Sequence, residues 1–211
     1  MKDMEKLMTF LIILMIISSL SVATYATKTG PLDTEEPWFQ VISKHGHEKT
    51  AKLHFYFQDF IGGENKTVYE VVRASITSNS LFSLGSILVI DNLITAEADI
   101  KSKAIGRFQG VATSADLKTT AVALNANFYF TWGSVNGSTI SIWGRNPIMK
   151  GARELAIVGG TGMFRFARGY VISNYTSIVE NEYLVVECTI YVTYMDKSRS
   201  CQHMKASEDN N

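Results

Sequence analysis

Asp59 is the residue whose type and position most directly suggest acid–base chemistry. It follows Phe55 and Phe57 at intervals of two residues, so the three side chains share one face if this segment is a strand. A carboxyl group in an apolar cavity has a raised pKa and can donate or accept a proton. The competing interpretation is an aspartate that ends the strand and caps the turn at residues 61–63, and the spacing alone favours it.

Two arginines could bind an oxygen atom of a small ligand. Arg153 precedes the apolar segment 155–158, and Arg145 stands beside Asn146 in a predicted loop. At the mouth of a cavity, an arginine would bind a phenolate or ketone oxygen, whereas a solvated loop cation is the default interpretation. Glu154 is a poor ion-pair partner for Arg153, because neighbouring residues of a strand point to opposite faces.

Other catalytic and cofactor motifs are not supported. The glycine-rich residues 159–162 lack the lysine of a phosphate-binding loop, and they connect two predicted strands, so no helix N-terminus follows them. His45 and His47 have no cysteine or acidic cluster nearby to complete a metal site. The sequence shows no Ser-His-Asp set and no haem, flavin or copper signature. It therefore predicts no metal, no cofactor and no oxidase activity of its own.

The elements that must position these groups are short β-strands. From Lys52 onward the apolar residues alternate with a period of two, and turn signals divide them into eight or nine segments. Asn136-Gly137 is the strongest hairpin signal. Convincing amphipathic helices are absent from the pattern, which predicts a sandwich or a barrel. Closing the sheet removes exposed edges, and a small barrel can hold one small ligand.

Composition limits the class of partner. Lysine plus arginine and aspartate plus glutamate both number 20, so the formal net charge is zero, and no basic run appears. Nucleic-acid binding needs clustered positive charge and is therefore unsupported. Hydrophobic residues make up 46% and charged residues 19%, which is typical of a globular fold rather than a disordered chain.

The first residues have the layout of a secretory signal peptide. An apolar run at 7–17 follows a short polar start and precedes small residues. It is shorter than the ~20 residues that a membrane-spanning helix needs. We therefore predict a signal peptide at 1–23, with cleavage after Ala23 or Ala26, and a secreted protein that has no membrane contact once cleaved. Three N-glycosylation sequons agree with secretion, and they begin at Asn65, Asn136 and Asn174.

Three segments follow the cleavage site. Breaker-rich residues 24–50 predict a flexible leader, 51–196 form the barrel domain, and 197–211 form a polar tail. The two cysteines divide between these segments, with Cys188 on the apolar face of a strand and Cys201 in the tail. In an oxidising compartment they could form a disulfide, and a buried free thiol at Cys188 is the alternative.

Four segments of the chain together resemble the plant dirigent proteins. They are residues 53–59 (LHFYFQD), 106–110 (GRFQG), 144–147 (GRNP) and 157–170 (IVGGTGMFRFARGY). They occur in the family's order, and the resemblance covers 52–194. It implies an eight-stranded antiparallel β-barrel of the lipocalin or allene-oxide-cyclase type, with one cavity per subunit. It also implies a glycoprotein secreted to the apoplast that assembles as a homotrimer or dimer.

The resemblance implies a function in phenylpropanoid chemistry. Well-known dirigent proteins take monolignol radicals made by a separate laccase or peroxidase and direct their coupling to one stereoisomer of a lignan. Other members are cyclases or dehydratases that act on quinone-methide precursors, as in pterocarpan formation, and passive binding of phenolics in defence is a third alternative. In each case a planar phenolic substrate would lie against aromatic walls, for which Phe55 and Phe57 are the candidates.

The resemblance also assigns roles to single residues. Asp59 matches the cavity carboxylate and Arg153 the cavity arginine, so these two are the catalytic candidates. Ala112 stands where lignan-forming members have tyrosine, and Asn146 where they have a second aspartate; both are candidate substrate-binding positions. Gln58 replaces a common histidine. A neutral asparagine cannot exchange a proton as a carboxyl group can, so the sequence resembles the branch of the family whose substrates are mostly unassigned.

Overall fold

A computed structural model describes residues 37–45, 47–179 and 182–195. This part of the chain contains ten antiparallel strands and one short α-helix. The strands are β1 (Phe39–His45), β2 (Glu48–Phe60), β3 (Val68–Val72), β4 (Ile87–Thr95), β5 (Ala104–Ser114), β6 (Val122–Phe130), β7 (Thr139–Asn146), β8 (Arg153–Thr161), β9 (Arg168–Val179) and β10 (Tyr183–Met195). Helix α1 spans Ser75–Asn79, and short 3-10 helices span Gly133–Val135 and Gly162–Phe164.

Eight of these strands close into one barrel. The sheet runs in the order β1-β2-β10-β9-β8-β7-β6-β5-β4-β3, and a further pairing of β2 with β4 closes the ring. That closing pairing is short and joins residues 56–58 to residues 93–95. Strand β1 pairs with residues 48–53 of β2, on the same edge that β4 uses. Strand β3 pairs with residues 87–90 of β4, on the same edge that β2 uses. The predicted eight-stranded antiparallel barrel is confirmed.

The period of two in the sequence is the inside–outside alternation of the barrel wall. In β10, Val186, Cys188, Ile190 and Val192 are all buried, while the residues between them are partly exposed. Successive side chains of a strand point to opposite faces, so an alternating apolar pattern fills the interior of a closed sheet. Each strand therefore brings every second residue to a shared interior.

The structure corrects the irregular leader predicted up to residue 50. Strand β1 forms within that segment and pairs with β2 along 48–53. Trp38 and Phe39 are each only 5% exposed, because they pack against the end of the barrel. Two buried aromatic residues give this stretch enough apolar burial to be ordered, although the polar residues around them dominate its composition.

Aromatic side chains fill one end of the barrel. Trp38 stacks on Phe130 with ring centroids 5.8 Å apart, and Phe130 lies 5.7 Å from Phe164. Phe39 meets Phe164 edge-on at 6.3 Å. We call these four residues the aromatic plug. Because the plug leaves little space at its own end, an interior cavity can form only toward the other end.

The glycine pair predicted to connect two strands lies within a strand instead. Gly159 and Gly160 belong to β8, and the turn begins at Gly162, whose φ is +61°. A Cβ atom at Gly160 would lie 2.5 Å from the carbonyl oxygen of Thr139 and 2.6 Å from that of Phe164. Glycine at this position therefore permits a close approach of backbones.

Several sequence predictions lie outside the described residues. These are the signal peptide at 1–23, the first part of the leader, the polar tail at 197–211 and Cys201. Within the described ranges, no helix has the length and apolar character needed to cross a membrane.

Candidate functional site

A mostly apolar cavity of about 220 Å³ lies in the barrel. It is bounded by side chains near the end of β2, the end of β7 and the start of β8, at the opposite end from the aromatic plug. Apolar side chains such as Phe57, Phe108, Leu124 and Ile142 form most of its wall. The side chains that bring polar atoms or sulfur to it are Asp59, Asn92, Asn146, Arg153, Ser173, Tyr175 and Cys188.

Asp59 projects its carboxyl group into this cavity from the penultimate position of β2. Its Oδ1 atom is buried and has no hydrogen-bond partner among the described residues. Burial raises the pKa of Asp59 from 3.8 to about 6, against the opposing effects of a hydrogen bond with Asn92 and the positive charge of Arg153. The carboxyl group therefore exists in both protonation states near neutral pH, as a general acid or base requires.

Asn92 holds Asp59 from the neighbouring strand β4. The hydroxyl group of Thr67 donates to Oδ1 of Asn92 at 2.5 Å, and the same hydroxyl oxygen accepts the backbone N–H of Phe60 at 3.0 Å. Because a carboxylate oxygen only accepts hydrogen bonds, the Asn92 side chain donates to Asp59 through its NH₂ group. Sequence reasoning missed this residue, because it follows a continuous apolar run and only the pairing of β2 with β4 brings it to Asp59.

Arg153 is the first residue of β8 and is only 4% exposed. Its guanidinium carbon lies 4.0 Å from the centroid of the Tyr175 ring, and Nη1 donates a long 3.5 Å hydrogen bond to the carbonyl oxygen of Ile148. The Nε–H group is buried without a partner in the described part of the chain. This donor is free to bind an oxygen atom of a ligand, so the interpretation of Arg153 as a solvated loop cation is wrong.

Arg145 has a different environment. Its Nη2 donates to Asp116 at 2.6 Å and to the hydroxyl oxygen of Thr119 at 3.0 Å, and its side chain is more than half exposed. It lies outside the cavity lining. Arg145 therefore fastens the loop between β5 and β6, and of the two candidate arginines only Arg153 reaches the site.

The remaining candidate residues divide between the cavity and the core. Phe57, Ala112 and Asn146 line the cavity, and Phe57 stacks on Phe108 with centroids 4.6 Å apart. Phe55 does not line the cavity. It is fully buried against Phe128 and Phe130, at centroid distances of 5.4 Å and 5.9 Å, because it lies two residues closer to the aromatic plug.

Comparison with known proteins identifies the family. The family model described as Dirigent-like protein matches residues 50–193. The chain belongs to the dirigent family. It is 37% identical to Dirigent protein 11 of Arabidopsis thaliana over 85% of this chain and 93% of that protein. It is 38% identical to Dirigent protein 1 of the same plant, over 87% of this chain and 97% of that protein.

A solved dirigent structure supports the same fold. The pterocarpan synthase dirigent protein GePTS1 superposes with a TM-score of 0.67 and 35% identity, covering 74% of this chain and 91% of that one. By sequence, Pterocarpan synthase 1 of Glycine max is 33% identical over 78% of this chain and 84% of that protein. The relatives therefore include both proteins named only as dirigent and proteins named for a reaction.

Gln58, which replaces a histidine common in the dirigent family, lies on the outer side of the barrel wall. Its Nε2 donates to Thr95 at 2.7 Å and to the carbonyl oxygen of Ala98 at 3.2 Å, and Tyr183 donates to its Oε1. These contacts connect β2 to three elements, which are β4, β10 and the loop that follows β4. Gln58 therefore secures the closing seam of the dirigent barrel and has no contact with the cavity.

Cys188 is a buried residue of the cavity wall. It is 1% exposed, and burial raises the pKa of its thiol far above the ordinary value. The thiolate is the nucleophilic form of cysteine, so Cys188 lines the cavity as a neutral and unreactive group. Its predicted alternative as half of a disulfide involves Cys201, which lies outside the described residues.

The three sequons have different accessibility. Asn65 is exposed in the turn between β2 and β3, and Asn136 is exposed between β6 and β7. Asn174 lies within β9, partly buried and paired with Glu187 of β10. The two exposed asparagines can accommodate a glycan without a change in the barrel, and glycosylation of all three stays a prediction.

Proposed function

We propose that this dirigent barrel binds one small phenolic intermediate in its cavity and restricts bond formation to one face of that molecule. The observation that carries the proposal is the pairing of an acid and a cation in one small apolar space. Asp59, with a pKa of about 6, and Arg153, with a free Nε–H group, both line it. Aromatic walls at Phe57 and Phe108 offer stacking surfaces for a planar ring.

Each polar group has a defined task in this proposal. Asp59 donates or accepts the proton that a phenolic oxygen or carbon exchanges during bond formation. Arg153 donates a hydrogen bond to an oxygen atom on which negative charge develops. Because the cavity fixes the ring against its walls, only one face meets the reaction partner. A preference of about 3 kcal/mol between two poses corresponds to better than a hundredfold selectivity.

The reaction that we place first is the coupling of monolignol phenoxy radicals. A separate laccase or peroxidase removes one electron and one proton from each phenol, and two radicals then form the new bond. The barrel supplies orientation and needs no cofactor for it. Membership in the dirigent family supports this assignment, since its sequence relatives include many proteins that carry the dirigent name.

A second candidate is the cyclisation or dehydration of a quinone-methide precursor. Two observations favour it: the resemblance to pterocarpan synthases at 33–36% identity, and the raised pKa of Asp59. A carboxyl group that is protonated below about pH 6 can donate a proton to a leaving hydroxyl group, so that water departs. This reaction turns over without an oxidant, which separates it from radical coupling.

Chiral chromatography tests the two candidates. Coniferyl alcohol is treated with a one-electron oxidant, with and without the purified protein, and the enantiomers of the coupled products are measured. We expect an enantiomeric excess only when the protein is present, and its loss in Asp59→Asn. The same change at Asp91, which binds Arg107 on the outer wall, should leave the excess unchanged.

A racemic product from folded protein overturns the radical-coupling proposal. In that case a phenolic quinone-methide precursor is supplied without oxidant, and formation of one cyclised enantiomer establishes the second candidate. If neither product is stereochemically enriched, the protein is a passive binder of phenolics.

We further propose that the protein is a secreted apoplastic glycoprotein that assembles as a homotrimer or dimer. Apolar side chains in one row of the outer wall, interrupted by Asn125, support assembly. Val89 pairs with Val111, and Ala156 connects Trp143 to Tyr170 across β8. Trp143 is 62% exposed in the single chain. Light scattering after size-exclusion chromatography determines the subunit number, and a monomer overturns the assembly.

A further inference from the structure

Asn146 brings an unsatisfied oxygen atom to the cavity. Its Oδ1 is shielded from solvent and has no hydrogen-bond partner within the described ranges, although Asn146 lines the cavity. Buried polar atoms are almost always paired, and an unpaired one costs free energy. Asp59 Oδ1 is in the same condition. The two buried acceptors of this one cavity are therefore available to groups that a ligand brings.

The barrel topology places these two acceptors on opposite walls. Asp59 lies on β2 and Asn146 on β7. The closed ring of eight strands runs in the order β2-β10-β9-β8-β7-β6-β5-β4. Strand β7 is therefore four strands away from β2 in either direction around the ring. Both residues stand at or next to the last position of their strand, at the same end of the barrel. One ligand that spans the cavity can meet both.

The chemistry of the two atoms defines what such a ligand must carry. A carbonyl oxygen of asparagine and an oxygen of aspartate both accept hydrogen bonds, so each needs a donor such as a hydroxyl group. Apolar side chains, among them Phe108, Leu124 and Ile142, line the space around them. The body of the ligand must therefore be apolar, with its hydroxyl groups at the two ends.

Arg153 adds one opposite requirement. It lies on β8, next to the strand of Asn146, and its free Nε–H group needs an acceptor. An ether, carbonyl or phenolic oxygen near the second hydroxyl group fulfils this need. A ligand that satisfies all three unpaired atoms therefore carries two hydrogen-bond donors and one acceptor.

We propose that Asn146 is a specificity-determining residue, which makes the cavity select phenolic ligands with a free hydroxyl group at each of two opposite ends, one donating to Asp59 and the other to Asn146. The inference rests on the proposed function, since it describes the ligand of that same cavity. Under this proposal Asp59 and Asn146 have different roles. Asp59 exchanges protons, and Asn146, which cannot ionise, binds a hydroxyl group that keeps its proton throughout.

Binding of a set of four related probes tests this inference without any reaction. The probes are 4-(3-hydroxypropyl)phenol, its two mono-O-methyl ethers and its di-O-methyl ether, and their affinities are measured by isothermal titration calorimetry. Methylation removes a donor and keeps an acceptor. The wild-type protein should bind the diol most tightly and lose about fivefold in affinity for each methyl group.

Asn146→Leu identifies which hydroxyl group Asn146 binds. Leucine has a similar volume and no acceptor, so methylation at one end of the probe should no longer change the affinity, while methylation at the other end should still weaken it about fivefold. The matched control is Asn127→Leu on the outer wall, where Asn127 accepts a hydrogen bond from Ser141 and does not line the cavity. This control should behave as the wild-type protein does.

Three results overturn the inference. The first is a wild-type protein that does not prefer the diol to its dimethyl ether. The second is an Asn146→Leu variant that keeps both methylation effects. The third is tighter binding of an ether, which would show that Asn146 presents its NH₂ group. These outcomes are independent of stereocontrol, so a protein that shows the binding pattern and gives racemic products loses only the proposed reaction.

Discussion

The guanidinium group of Arg153 stacks on the ring of Tyr175 at 4.0 Å. Tyr175 reaches it from β9, the strand beside β8, so two neighbouring strands fix the cation without consuming its N–H donors. Within the described residues, Nη1 of Arg153 donates one long hydrogen bond, at 3.5 Å, to the carbonyl oxygen of Ile148. A cation held by stacking rather than by a carboxylate keeps its charge available to the cavity, where it acts on Asp59.

Arg153→Met should raise the pKa of Asp59 above its value of about 6. The positive charge of Arg153 lowers that pKa against the larger effect of burial, so its removal leaves burial less opposed. NMR titration of the Asp59 carboxyl carbon measures the change. Arg153→Lys is the control, because it keeps the charge and should leave the pKa near 6. Equal pKa values in wild type and Arg153→Met would contradict the coupling.

Asp59 should make the protein less stable as pH rises from about 4 to 6. Its pKa is about 6 in the folded protein and ordinarily 3.8, so the folded state holds the proton more tightly in this window. The unfolded chain releases it first, and the free energy of unfolding falls as pH rises and is level above the window. The full difference corresponds to about 3 kcal/mol. Urea unfolding at half-unit steps of pH measures it.

Asp59→Asn should abolish this particular fall, since asparagine does not titrate. Carboxyl groups with a lowered pKa act in the opposite sense. A hydrogen bond from Arg145 lowers the pKa of Asp116, and one from Arg73 lowers that of Glu70. A carboxyl group with a lowered pKa stabilises the folded protein when the pH is above its ordinary pKa, and this contribution is lost as the pH falls. An unchanged fall between pH 4 and 6 in Asp59→Asn would show that another group causes it.

Strand periodicity predicted the fold because every strand of a closed barrel alternates between inward-facing and outward-facing side chains. The alternation in β2 was sufficient to place Asp59 on the inner face with Phe57. The position along the barrel axis was not available from the same pattern, since it depends on which strands pair and at what register. For this reason Phe55, on the correct face, lies in the core rather than at the cavity.

The partners of the site residues could not be read from the sequence. Asn92 reaches Asp59 through the pairing of β2 with β4, which are separated by a whole strand and a helix, and Thr67 in turn binds Asn92. Tyr175 reaches Arg153 because β8 and β9 are neighbours, and its own sequence context signals only a sequon. The resemblance to a family supplied Asp59 and Arg153, whereas the raised pKa of Asp59 and the free Nε–H donor of Arg153 follow from three-dimensional contacts.

Ala112→Tyr should exclude larger ligands from the cavity. Ala112 is 3% exposed, lines the cavity and pairs with Leu88 and Leu124, so a tyrosine ring there would occupy much of a space of about 220 Å³. We expect at least tenfold weaker binding of 4-benzylphenol in calorimetry, and a loss of about 1–3 kcal/mol in stability from overpacking. Ala123→Tyr, at an exposed neighbouring position of β6, should change neither. Unchanged affinity in a folded Ala112→Tyr variant would place the ligand elsewhere.

The adjacent glycines of β8 should respond oppositely to the same substitution. A Cβ atom at Gly160 meets the carbonyl oxygens of Thr139 and Phe164 at 2.5 Å and 2.6 Å, whereas one at Gly159 has nothing within 4 Å. Gly160→Ala should therefore destabilise the protein by about 1–3 kcal/mol. Gly159→Ala should be neutral or stabilise it by up to about 1 kcal/mol, because alanine reduces the freedom of the unfolded chain.

Urea unfolding of the two variants beside the wild type measures this difference, and each variant serves as the control for the other. Because backbone atoms cannot rotate away as a side chain can, the contact at Gly160 can be relieved only by moving β7 or the 3-10 helix that ends at Phe164. Phe164 belongs to the aromatic plug, so such a movement would loosen the filled end of the barrel. Equal stability of the two variants would show that the approach of these backbones is not tight.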